Sequence, residues 1–155
     1  MRIKKSASGC GGADLCASAC GLGAGAAEKL RPWKGEVTPA LVLKTPAGEV
    51  VDLAKLRGKV VLVNFWATWC APCIEEMPAL ARLRARLAPR GFEVIAVNQG
   101  EMPARVNSFM DRTGLDVPVL MDRDKEASRT WRVRALPTTF VVDSGGRIRL
   151  FAEGE

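Results

Sequence analysis

The sequence predicts an α/β fold, a central sheet with helices packed on both faces, and three observations carry that expectation. Val60–Trp66 is an unbroken apolar run rich in β-branched residues, as in a strand buried on both sides. From Pro72 the apolar residues recur at helical period, and FEVIAVN at 92–98 is a second strand-like run after that helix. In chain order the pattern reads strand, helix, strand, helix, helix, strand, strand, the alternation that places a sheet between helical layers.

A chain of 155 residues, 48% of them apolar, has the size and composition of one domain with a substantial core. No repeat of 20–50 residues is present. The formal charge of +6 comes from Lys and Arg spread along the chain, without a long basic run or interleaved aromatics, so no nucleic-acid partner is expected. An acidic protein or an anionic membrane surface stays open as a partner. The absence of histidine removes the commonest general base, the usual haem ligand and most catalytic zinc ligand sets. Catalysis therefore falls to Cys, Asp, Glu, Lys or the backbone. The five cysteines are Cys10, Cys16, Cys20, Cys70 and Cys73, an odd number that leaves at least one outside any intrachain pairing.

Residues 1–27 stand apart as a leader: Arg2, Lys4 and Lys5 precede a run of Gly, Ala, Ser and Cys. The order resembles a secretory signal peptide, with small-residue cleavage candidates at Ala17-Ser18-Ala19 and Ala24-Gly25-Ala26. Asp14 interrupts the apolar stretch, which is too short and too weakly hydrophobic for a transmembrane helix. Ala17-Ser18-Ala19-Cys20 also looks like a lipoprotein processing site, without the expected Leu, so this end would offer a membrane tether. Residues 28–39, including LRPWKG at 30–35, read as a linker, and 40–155 as the folded domain.

Within the domain, apolar runs at 40–44 and 49–51 flank Thr45-Pro46-Ala47-Gly48, which predicts a hairpin. Asp52 is placed to cap a short helix over Leu53–Leu56, ended by Gly58-Lys59. The helix from Pro72 carries Ile74, Met77, Leu80 and Leu87 on one stripe, is closed by Gly91, and contains Pro78, where a kink is expected. Pro103–Thr113 reads as a helix ended by Gly114, and 124–131 as another. Thr138–Val142 and 147–151 read as strands joined by Asp143-Ser144-Gly145-Gly146, whose glycines supply a hairpin turn.

The residues that carry chemistry are Cys70 and Cys73. Two cysteines at this spacing can close a disulfide, and at a helix start the unpaired backbone N–H groups and the helix dipole favour a thiolate. Cys70, at the helix mouth, is then the nucleophile, and Cys73, one turn in, the resolving thiol. Pro72 between them restricts the loop. A lone C-x-x-C is also half a zinc site or a pair of buried thiols. Here the preceding strand and following helix are the context a redox pair requires, and no second pair completes a zinc site.

Trp69-Cys70-Ala71-Pro72-Cys73 after VNFWAT resembles the active site of the thioredoxin superfamily. LAKLRGKVVLVNFWATWCAPCIEEMPAL at 53–80 is similar in particular to the TlpA/ResA branch of exported, membrane-tethered thiol-disulfide reductases. The similarity runs from about 40 to 151 and includes AVNQGE at 96–101 and Ala135-Leu136-Pro137-Thr138-Thr139-Phe140. The resemblance implies a thioredoxin-like fold with an N-terminal β-hairpin extension. It also implies a closing helix after the last strand, which this sequence lacks, so one sheet face would go without cover.

By the same resemblance Pro137 is the cis-proline opposite the cysteine pair and, with Leu136, Trp69 and Pro72, shapes the substrate-binding surface. Glu76 matches a cavity-lining glutamate placed to exchange protons with Cys73, while Asn64 stands where cytosolic thioredoxins bury an aspartate. Glu75 reads as a solvated neighbour, and Trp66 as a shield or a core residue. The implied activity is thiol-disulfide exchange on exported proteins outside the cytoplasm. No cofactor is implied beyond the redox-active pair Cys70-Cys73, and the implied electron donor is a membrane thiol transporter. Three rivals remain: a thiol oxidase on the same fold, a Cu(I) or Zn carrier using Cys70 and Cys73, and a peroxidase, disfavoured because Ala67 replaces the Thr that such chemistry wants.

Overall fold

The computed structural model describes residues 30–35 and 37–154. The leader at 1–27, with Cys10, Cys16 and Cys20, lies outside the described residues. The strands are β1 (Arg31–Pro32), β2 (Val42–Lys44), β3 (Val50–Asp52), β4 (Val60–Trp66), β5 (Phe92–Gln99), β6 (Val119–Asp122), β7 (Thr138–Val142) and β8 (Ile148–Glu153). The helices are α1 (Ala71–Leu87), α2 (Pro103–Thr113) and α3 (Glu126–Thr130).

All eight strands join one sheet in the order β1-β8-β7-β4-β5-β6-β2-β3. β4 pairs parallel to β5 and antiparallel to β7, so the strand that leads to Cys70 is flanked on both sides along its length. Its period-2 alternation sends Val61, Val63 and Phe65 into one core and Asn64 and Trp66 to the opposite face, all of them buried. On the first face Trp131, at the end of α3, packs with Phe65, Phe140 and Ile95. On the second, Met77 of α1 and Val106 and Phe109 of α2 cover Trp66, Val94 and Ala96.

The hairpin β2–β3 forms as expected, with Val42 opposite Asp52, and joins the sheet edge beside β6. Asp52 caps the following 3-10 turn, its Oδ1 accepting from Ala54 N–H at 2.9 Å. Helix α1 continues through Pro78, which is exposed. No helix follows β8 among the described residues, and Val141 and Leu150, on the sheet face that Asn64 shares, are half-buried. No helix among the described residues is long and apolar enough to cross a membrane.

Three elements depart from the sequence reading. β6 has no clear sequence signal, because Asp116 and Pro118 stand just before a run of only four residues, yet all four are buried and it pairs parallel with β5. Arg31–Pro32, inside the stretch read as a linker, pairs with β8, and Trp33 sets its ring edge-on to Phe140 and Phe151. Burial of that ring holds the segment against the sheet, and an edge strand tolerates Pro32 because no ladder donor is needed there. α3 starts at Glu126 rather than 124, since Lys125 is left-handed at φ 62° and the buried Asp122 caps the turn through Ala127 N–H and the Ser128 N–H and hydroxyl.

Candidate active site

β4 ends at Trp66, and four residues later Cys70 occupies the N-cap of α1 with extended backbone (φ −91°, ψ 102°). Its sulfur accepts the Cys73 N–H at 3.4 Å, one of the first-turn amides that have no partner inside the helix. Pro72 sits in that same first turn, where a missing N–H costs nothing. Cys70 and Cys73 are joined in a disulfide with an S–S distance of 2.14 Å and Cα atoms 5.3 Å apart. Burial separates the two: Cys70 is 5% exposed and Cys73 fully buried. Trp69, the preceding residue, is 64% exposed and offers its ring to solvent beside Cys70.

The peptide bond between Leu136 and Pro137 is cis. Leu136 packs against the apolar cluster that contains both cysteines and also against the core on the other sheet face. Thr138 donates its hydroxyl to Ala135 O at 2.6 Å, and the Pro137 carbonyl accepts from Gly154 N–H at 2.8 Å. That carbonyl is therefore already occupied within the domain.

Asn64 is fully buried on β4. Its Nδ2 donates to Glu76 Oε1 at 2.6 Å and to Thr139 Oγ1 at 3.0 Å. Glu76 is one helical turn past Cys73, so the two share a face of α1, and the amide ties that face to the strand that follows Pro137. Glu75 is exposed. Trp66 is a core residue, fully buried, its ring centroid 5.4 Å from that of Phe109.

Sequence reasoning missed Glu101, present only inside the resemblance-carrying AVNQGE. Its side chain is 7% exposed. One oxygen accepts Thr68 N–H at 2.8 Å and Asn98 Nδ2 at 2.7 Å, the other the Thr68 hydroxyl at 2.6 Å, and Arg105 Nε stands 3.0 Å away. Thr68 lies two residues before Cys70, so this carboxylate anchors the loop that presents the nucleophile. Burial pushes the Glu101 carboxyl up, but the bonds from Thr68 and Asn98 and the charge of Arg105 outweigh it and hold it below its ordinary 4.5. Its one sequence signal was a carboxylate just past a buried strand, and only the fold brings Thr68 to it.

Comparison with known proteins bears on the whole arrangement. The AhpC/TSA family profile matches residues 35–151. The chain is 37% identical over 115 residues to the thiol-disulfide oxidoreductase ResA of Bacillus subtilis, covering 74% of this chain and 64% of that protein's length. It is 38% identical over 127 residues to ResA of Geobacillus thermodenitrificans, covering 82% and 73%. Among solved structures, a thiol:disulfide interchange protein DsbE from Chlorobium tepidum superposes with a TM-score of 0.74 at 31% identity, covering 80% of this chain and 87% of that one.

Proposed function

The chain belongs to the AhpC/TSA family and, within it, to the thioredoxin-like thiol-disulfide oxidoreductases of the ResA kind, and on that premise we propose that it reduces disulfides of exported proteins through Cys70 and Cys73. The observation that carries the reading is the pairing itself: a disulfide at the mouth of a 17-residue helix, with Cys70 5% exposed and Cys73 fully buried.

The exchange balances as follows. In the reduced protein the Cys70 thiolate, favoured by the α1 N-terminus, attacks one sulfur of a substrate disulfide; the second substrate sulfur leaves as a thiolate and takes up a proton. Cys73 then loses its proton and attacks Cys70 Sγ, releasing the first substrate sulfur. The substrate gains two electrons and two protons, and the pair closes as in this structure. Glu76, held by Asn64, is the group assigned to take the Cys73 proton. Trp69, Pro72 and Leu136 with cis-Pro137 form the surface on which an extended substrate segment lies.

The redox centre is the cysteine pair alone, without a bound cofactor. A membrane thiol transporter returns the electrons, and the site of action is periplasmic or otherwise extracytoplasmic, with the leader as the export signal and tether. The reduction potential of Cys70–Cys73, measured against glutathione, tests the direction. A value near that of thioredoxin, about −270 mV, is expected; one near that of a strong oxidant, about −120 mV, would reverse the assignment to a thiol oxidase.

A further inference from the structure

Beside the redox pair, a cavity of about 380 Å³ opens between the loop before Cys70 and α2, lined by Thr68, Arg105, Ser108, Phe109 and Arg112. We propose that this cavity is a substrate subsite that takes an acidic side chain of the protein undergoing exchange, and so gives the site a preference for disulfides flanked by Asp or Glu. The proposal rests on the thiol-disulfide reading and names the substrate class of that same site.

Four observations carry it. Arg105 and Arg112 lie seven residues apart, two helical turns, so both side chains rise from one face of α2, from backbone positions about 10 Å apart along its axis. Arg105 spends its Nε on Thr68 Oγ1 and Glu101, while its side chain stays 65% exposed. No carboxylate is among the five lining residues, and no ion pair joins Arg112 to an acidic side chain among the described residues. The cavity thus presents cationic donors over an apolar floor at Phe109. Finally, Thr68 fixes its distance from the chemistry: only the exposed Trp69 separates it from Cys70. A substrate segment seated with its sulfur on Cys70 brings residues two to four positions away to the guanidinium groups.

The test uses the full chain in its reduced form and peptide disulfides identical except for Glu, Gln or Lys two to four positions from the attacked cysteine. At low salt the Glu peptide is expected to show a KM about fivefold below that of the Gln peptide. Arg112→Gln should erase the difference, and Arg112→Glu should shift the preference to the Lys peptide. Arg90→Glu, which changes net charge equally at the opposite end of β4, should leave it intact. Equal KM values in the unaltered chain, a preference that survives Arg112→Glu, or one lost equally in Arg90→Glu would overturn the subsite. Reduction of none of the peptides would overturn the reductase reading itself, and the subsite with it.

Discussion

Glu101 shows how a single buried carboxylate can position a nucleophile it does not touch. Replacing it with Gln keeps the shape but removes the charge that holds Arg105 and the Thr68 amide and hydroxyl, a loss of about 1–3 kcal/mol for bonds made to a charged group. Because its folded carboxyl titrates below 4.5, the unfolded chain binds the proton first as pH falls. Its contribution is complete above pH 4.5 and is lost from there down through the lower folded value. Denaturant midpoints at neutral and acid pH should therefore converge between Glu101→Gln and the unaltered chain as the pH drops below 4.5. Cys70 and Cys73 are legible in the sequence because their chemistry follows from spacing and local context, and the cis bond at Pro137 follows from the family resemblance. Glu101 is not legible, since its meaning depends on Thr68, 33 residues away in the chain.

At the scale of elements, what the sequence revealed depended on how much of each signal was local. β4 and α2 fall on the expected residues because an uninterrupted β-branched run and a Pro-to-Gly frame need no tertiary information. The frame of α2 rests on Gly114, which takes the left-handed φ of 61° and returns its N–H to Met110 O at 2.9 Å. Gly114→Ala should cost about 1–2 kcal/mol, the strain of a Cβ in that conformation, seen as a lowered thermal midpoint with unchanged exchange chemistry. β6 is not legible because its run is only four residues long and follows directly on Pro118, and parallel pairing with β5 makes it a strand. β1 is illegible for a related reason: two residues carry no period, and its place is set by Trp33 settling on Phe140 and Phe151.

At the scale of the whole molecule, the described residues form a sheet with a core on each face, and the two cores do different work. One contains the cysteine pair. The other centres on Phe140, 1% exposed, whose ring meets those of Trp33, Phe65, Trp131 and Phe151. Phe140→Ala should cost about 3–5 kcal/mol in urea unfolding, because the rigid sheet cannot close the void. The alternation of strands and helices makes the fold class readable, whereas the addition of β1 to the sheet edge beside β8 is not. The central claim is that Cys70, at the helix mouth, makes the attack and the more deeply buried Cys73 is reserved for release. Its most direct test is trapping: Cys73→Ser, challenged with a peptide disulfide, should accumulate a mixed disulfide that mass mapping places on Cys70, while Cys70→Ser accumulates none on Cys73. Equal trapping on Cys73 in the Cys70→Ser chain, or no adduct on Cys70 in the Cys73→Ser chain, would contradict the account.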